Sequence, residues 1–337
     1  MLPTTSQLLR YLRLPAARQD HTVRQALVYA VWRSGSAEDA HALLAEYFRQ
    51  PAEARPDCLL PVFERHGDDA MARALFAASC SNGDLLPDAP AETLGVLARL
   101  GHPDIKPLLV RYAFEPSGYD LAKHAALGLL HVDCWDLEQP IRAAIEATYG
   151  KNLFPEFLPA LVCKLPDRTQ MLARLYASGT EYCSTDCNAG ILLGFSLCGT
   201  EGAPYFQQAL LSPAWEAHSS GSGTRWYAYQ GMQNLGLTFR QLYADIRGLA
   251  DPTKRGFPVR VLLALLALKV GPHSWAEHPA EPFVELYPAL FGWETDDSRN
   301  NLLDLAAVAG LEDEADQLEK LMVLRLNEEV LLRNYIS

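Results

Sequence analysis

One plan recurs four times along this chain: a helix-forming run rich in Ala and Leu, a break centred on glycine, and a second amphipathic run. It reads ALVYAVWRSGSAEDAHALL around Gly35, ETLGVLARLGHPDIKPLL around Gly101, ILLGFSLCGTEGAPYFQQAL around Gly199 and LLDLAAVAGLEDEADQLEKL around Gly310. Successive breaks lie 66, 98 and 111 residues apart. The first two intervals approximate two and three times a unit of about 33 residues, the size of one helical hairpin in an α-solenoid. A glycine just past the last periodic residue suits the left-handed position that closes a helix, and small residues inside the helix let a neighbour approach closely. Each hairpin leaves one apolar face uncovered, and stacking the next hairpin on that face is what stabilises it.

The rest of the chain agrees with an all-α fold. Apolar residues recur at helical spacing in VRQALVYAVWRSG, PAETLGVLARLG, DLAKHAALGLLHVD and RNNLLDLAAVAG, separated by Gly, Pro, Asp or Ser, and no convincing period-2 strand occurs. The most regular stretch, ETLGVLARLGHPDIKPLLVRYAFEPSGYDLAKHAALGLLHVD, resembles a HEAT-like repeat, in particular the bacterial kind first noticed in phycobilisome lyases. Leu100-Gly101 ends one helix, Pro103-Asp104 opens the next turn, Pro107-Leu108-Leu109 lies in the second helix, and Ala125-Ala126-Leu127-Gly128 begins another repeat. The likeness is good over residues 91 to 133 and weaker at 22 to 48 and 186 to 237. It implies a right-handed α-solenoid of stacked helical hairpins, about eight to ten of them, running as a single body over residues 1–337. Residues 134–185 break the period and are expected to form an irregular middle. The resemblance implies no reaction, because HEAT-like proteins include scaffolds, inhibitors and a few enzymes.

Charge and cysteine usage narrow the function classes. A net charge of −12 disfavours nucleic acid and anionic membranes, which are held largely by Lys and Arg. Arg10 and Arg13 interrupt the first apolar stretch, so no signal peptide is expected. The longest apolar run, VRVLLALLALKV at 259–270, spans roughly 18 Å as a helix and reads as a buried helix rather than a membrane span. Cysteines at 58, 80, 134, 163, 183, 187 and 198 form an odd set without framework spacing. They fit reduced thiols in a cytoplasmic protein; that the protein is bacterial is what the resemblance implies.

No motif names a reaction. There is no G-x-S-x-G and no phosphate-binding glycine loop, and the GSG at 221–223 lacks the spacing of either. His124 and His131, seven apart on one expected helix face, have no second ligand pair. Cys183 and Cys187 also lack one, and read as core cysteines at a helix start capped from Ser184, Thr185 or Asp186. Among HEAT-like enzymes the deoxyhypusine hydroxylases hold iron through His-Glu dipeptides, but here His278 follows Glu277 in the reverse order. No metal and no cofactor are expected.

Two surfaces stand out. In HSSGSGTRWYAYQGM, residues 218–232, small residues precede Arg225, Trp226, Tyr227 and Tyr229. On a helix from Thr224, Trp226 and Tyr229 share a face flanked by Gln230 and Gln233, and Arg225 stands four residues before Tyr229, a spacing that permits stacking. RWYAYQGMQNLG also lines up with KHAALGLLHVD as the second half of a repeat, so bulky side chains replace Ala and Leu. Six bases against two acids between Arg225 and Arg260, Arg255 among them, make this stretch locally basic. The expected binding strip is therefore Arg225, Trp226, Tyr229, Gln233 and Arg255, residue types that dominate binding hot spots; core packing of the aromatics is the plainer alternative. The second surface is acidic. Between Glu294 and Asp316 eight acids face Arg299 alone, with Asp296, Asp297, Glu312 and Asp313 at its centre. The expected partner is another protein, met by an adaptor or an immunity-type inhibitor. The alternative is a HEAT-like enzyme acting on a small molecule or nucleobase in a concave pocket, with Asp186 or Asp245 as its acid.

Overall fold

The computed structural model describes residues 1–270 apart from 16, 17, 20, 116, 150–156, 182–184, 218–223, 252, 253 and 255. The described residues form fifteen α-helices joined by 3-10 turns, with one two-residue antiparallel ladder. The chain is all-α, as the periodicity leads one to expect. It divides into two compact units, one taking in Met1–Asp133 and the other opening at Cys134. That boundary falls where the repeat pattern of the sequence lapses.

In the first unit α1 (Pro3–Leu12), α2 (His21–Ser34), α3 (Ala37–Arg49), α4 (Leu60–His66), α5 (Asp69–Ser79), α6 (Thr93–Arg99), α7 (Ile105–Phe114) and α8 (Tyr119–Leu129) follow one another. Helices α2, α4, α6 and α8 make a row in which each packs on the next, while α1, α3, α5 and α7 pack alongside. The core is aliphatic with a few rings, among them Leu8, Leu43, Tyr47, Phe63, Leu97 and Leu109 at full burial. A capping box starts α3: the Ser36 hydroxyl accepts the Asp39 N–H, and the Asp39 carboxylate accepts the Ser36 N–H. The buried Asp39 also accepts the Leu2 N–H at 2.7 Å and the Thr5 hydroxyl at 2.6 Å, which ties α1 to α3. These bonds hold its carboxyl below the ordinary value of 3.8, against the burial that opposes them.

The ladder pairs Cys80–Ser81 with Asp84–Leu85 through a turn at Asn82 and Gly83, both with positive φ. This is the Asn-Gly hairpin turn, and it escapes a search for alternating strands because two residues a side show no period. The Tyr112 hydroxyl donates to Asp84 at 2.9 Å and accepts the Leu85 N–H at 3.0 Å, pinning the hairpin to α7.

The second unit contains α9 (Glu138–Thr148), a 3-10 helix at Leu158–Lys164, α10 (Thr169–Glu181), α11 (Thr185–Leu197), α12 (Ala203–Leu211), α13 (Thr224–Leu235), α14 (Phe239–Gly248) and α15 (Gly256–Val270). Again there is a row: the 3-10 helix packs on α11, α11 on α13 and α13 on α15, with α10 and α12 beside it. The core here is aromatic. Trp215, fully buried, lies 5.5 Å from the Tyr176 ring and 5.8 Å from Phe195, and Tyr205 closes the group 5.6 Å from Phe195. The apolar run at 259–270 falls on α15, where Val259, Val261, Leu262 and Leu265 are buried. No described helix is long and apolar enough to cross a membrane.

Two triplets, α6–α7–α8 and α11–α12–α13, share one plan. Their first helices end at glycines of positive φ, Gly101 and Gly199. At the first of these the Gly101 N–H reaches the Ala98 carbonyl and the His102 N–H the Leu97 carbonyl, which is the Schellman arrangement. In the third helix of each triplet a glycine sits against the other two. A Cβ on Gly128 would lie 2.7 Å from Leu109 of α7 and 3.4 Å from Ala98 of α6. One on Gly231 would enter the Phe206 ring of α12 and lie 3.1 Å from Ser196 of α11.

Some expectations need correction. Gly35 does not take the left-handed conformation; its N–H bonds the Val31 carbonyl at 2.7 Å, and an added Cβ would collide with that same oxygen. Helix α8 stops at Leu129, so His131 lies beyond it and shares no helical face with His124. Gly310 lies outside the described residues.

Candidate functional site

Helix α13 carries the strip marked out by the sequence. Its inner side is fixed by Ala228, Tyr229 and Met232, all buried, and by the Asn234 amide, which donates to the Ser196 hydroxyl of α11 at 3.0 Å. Its end is a second Schellman closure at Gly236, with N–H bonds from Gly236 to Gln233 and from Leu237 to Met232. The helix is therefore held on two sides, and the remaining side chains are presented from a fixed backbone.

Trp226 and Tyr229 do meet, with ring centroids 6.0 Å apart, but Tyr229 is 4% exposed and belongs to the core. The core-packing alternative thus accounts for Tyr229. Exposed Gln233 donates to the Tyr229 hydroxyl at 3.3 Å. Tyr227 packs on Phe157 at 4.7 Å. Trp226 and Arg225 remain half-buried.

Arg225 is the unusual member. With Gly231 set opposite Gly128, Ala228 and Tyr229 fall opposite Ala125 and Ala126, and Arg225 falls opposite Ala122, which is buried. A guanidinium thus occupies a position that is alanine in the counterpart helix. Burial pushes its pKa down, and it has no ion pair and no hydrogen bond among the described residues. The stacking on Tyr229 that the spacing permits does not form, because that ring turns into the core. Arginine stays charged even so, and its five donors are left to solvent or to a ligand.

Other expected positions are resolved less far. Arg255 lies outside the described residues, as do Asp296, Asp297, Glu312 and Asp313, so the acidic patch has no structural counterpart to report. Lys254 and Arg260 are exposed, and Asp245 stands exposed on α14. The side chain of Asp186, together with Cys183 and Ser184, is likewise outside what is described.

The chemistry of the remaining groups is quiet. The six described cysteines are free. Burial pushes the Cys58, Cys80 and Cys163 thiols up to about 11 and Cys198 to about 12, so at neutral pH they are protonated thiols rather than nucleophiles. His124, lowered by burial, stands 3.6 Å from Glu92. No three His, Cys, Asp or Glu side chains among the described residues stand together as metal ligands.

A cavity of about 410 Å3 opens in the first unit, lined by Glu53, Arg55, Asp57, Asp88, Glu92 and Asp120. None of these stood out as a candidate in the sequence. The available signal was compositional: AEARPD at 52–57 and PDAPAE at 87–92 are both loops of proline, alanine and acid.

Comparison with known proteins assigns no relative: no family model matches the chain, and neither a curated protein nor a solved structure matches it.

Proposed function

We propose that this chain is a HEAT-like repeat protein, cytoplasmic and bacterial, whose hairpins stack as a right-handed α-solenoid within each unit and which binds a protein partner through α13. Support for the repeat comes from the two rows of helices and from the matched triplets with their paired glycines. Repeats of this kind stabilise themselves through neighbours and leave one helix row free to vary for binding.

The observation that carries the binding reading is Arg225: a charged, half-buried side chain without a counterion among the described residues, at a position that is buried alanine in the counterpart helix. Half-burying a cation without a partner costs folding free energy, so its presence fits a role that a partner's carboxylate completes. Trp226 beside it supplies apolar area at the same point. Arg and Trp are the side chains on which interface energy concentrates. The partner is accordingly a protein offering an acidic group next to an apolar one, met by an adaptor or an immunity-type inhibitor.

The test is affinity capture from the native cell with wild type, Arg225→Glu and Trp226→Ala, each checked for an unchanged melting curve. Both variants are expected to weaken capture by about 2 kcal/mol or more, roughly thirtyfold. A partner recovered equally well by all three proteins would remove α13 as the interface.

A further inference from the structure

The hairpin turn of the first unit exposes a dipeptide that can react with itself. Asn82 and Gly83 are both exposed, and a Cβ added to Gly83 would meet nothing within 4 Å. Neither the Asn82 carboxamide nor the Gly83 N–H makes a hydrogen bond among the described residues. The other described asparagines are held. Asn188 on α11 is 2% exposed and donates to the Trp215 carbonyl at 3.3 Å, and Asn234 on α13 donates to Ser196 at 3.0 Å. The residue after each is helical, so the nitrogen that would have to attack is already engaged in the helix.

The turn also permits the attacking geometry. Positive φ at both Asn82 and Gly83, 53° and 75°, makes it type I′. Rotating the central peptide converts type I′ to type II′, which carries the Asn82 ψ from about +30° to about −120° and swings the Gly83 nitrogen towards the Asn82 side chain. In a two-residue loop that peptide lies outside the ladder, so its rotation leaves the Ser81–Asp84 pairing intact. The Gly83 nitrogen, giving its proton to base, then bonds to Asn82 Cγ. The Cγ–Nδ2 bond breaks and ammonia departs, leaving a cyclic imide. Water opens the ring at Cγ to give aspartate, or at the main-chain carbonyl to give isoaspartate. In sum an amide and water become an acid and ammonia, with no redox partner.

We infer that Asn82 is a site of spontaneous covalent modification, converting to isoaspartate, and that this uncouples the hairpin from α7. Isoaspartate lengthens the turn by one backbone carbon, so two residues no longer close Ser81 on Asp84 in register. It also places a carboxylate two residues from Asp84, where it competes for Arg111. Asp84 and Leu85 are the hairpin groups that Tyr112 holds, so the change is transmitted to α7. The new carboxylate is the acceptor that an isoaspartate-specific carboxyl methyltransferase recognises, and methyl transfer from S-adenosylmethionine therefore reports it.

The experiment ages the full chain in mildly alkaline buffer and follows each asparagine by peptide mass spectrometry, beside an Asn82→Gln variant. Loss of ammonia at Asn82 is expected to run at least roughly tenfold faster than at Asn188 or Asn234, whose following nitrogens are freed only by local unfolding. Isoaspartyl methyltransferase is expected to label aged wild type and not the aged variant. Amide hydrogen exchange at Leu85 is expected to quicken in aged wild type relative to unaged, and to stay constant in the variant. Equal survival of the three amides, absence of methyl labelling, or reaction at Asn82 only after unfolding in urea removes the site. Exchange at Leu85 that is unchanged in labelled chains overturns the uncoupling. Where Asn82→Gln alters the melting curve, unaged wild type serves as the reference for every readout.

Discussion

Helices α8 and α13 hold the same place in their triplets, and their burial agrees position by position from Lys123 and Trp226 to Leu129 and Met232. Their side chains do not agree. Where α8 sets Ala125 and Ala126 against the core, α13 sets Ala228 and Tyr229; where α8 has His124, α13 has Tyr227, whose ring is taken up by Phe157. The backbone plan therefore survives exchange of small for aromatic residues as long as neighbours fill the added volume and one glycine keeps the close approach. At the outer end the exchange is not absorbed. Arg225 stands where α8 has Ala122, and no described residue neutralises it.

The comparison can be broken most severely at its shared glycine. Gly231→Ala places a methyl group inside the rigid Phe206 ring, and a loss of about 3 kcal/mol in urea unfolding is expected, largely restored by Phe206→Leu. Asp39→Asn tests the contrast between the units, since the buried acids Asp39 and Glu46 both lie in the first and none is found among the described residues of the second. It is expected to cost about 2 kcal/mol at pH 7. The Asp39 pKa is depressed on folding, so its contribution is full above its unfolded value of 3.8 and fades as pH falls through the folded value. The difference between variant and wild type should therefore shrink below pH 3.8; a difference constant down to pH 2 would assign Asp39 a packing role alone.

Smaller effects sharpen the picture. Gly101→Ala forces a side chain into a left-handed position with open space around it, and about 1 kcal/mol of backbone strain is expected by denaturant midpoint. Arg225→Leu should stabilise the second unit by up to about 1 kcal/mol, since it removes an unpaired charge, while abolishing partner capture. Destabilisation by that variant would show that Arg225 serves the fold. The smallest effect is expected at Gly128→Ala. There the obstacle is the movable end of Leu109, and a gain of about 0.5–1 kcal/mol in helix propensity offsets the crowding. A cost equal to that of Gly231→Ala would remove the distinction between yielding and rigid neighbours.

Much of this was legible in the chain. Helical periodicity, Gly101 and Gly199 as left-handed stops, and the helix at 259–270 each rest on local rules of spacing and backbone sterics that need no tertiary information. The hairpin at Cys80–Leu85 was legible too, in its Asn-Gly pair, but two-residue strands are too short to alternate. Gly35 misled because a close approach to a carbonyl and a left-handed turn both select glycine. The cavity could not be read at all: Glu53, Arg55, Asp57, Asp88, Glu92 and Asp120 come from segments that share no period, and only folding brings them together.

For the strip on α13 the division is sharp. Its residues and the helix that carries them followed from the sequence, because amphipathic spacing and the preceding small residues are local. Which of those side chains would be core and which surface was decided by packing. Tyr229 turned inward against its neighbours, Tyr227 found Phe157, and Arg225 was left half-buried, with no compensating group among the described residues, at a site its counterpart gives to alanine. Burial and charge compensation depend on atoms distant in the chain, so no reading of spacing alone could have told the surface side chains from the core.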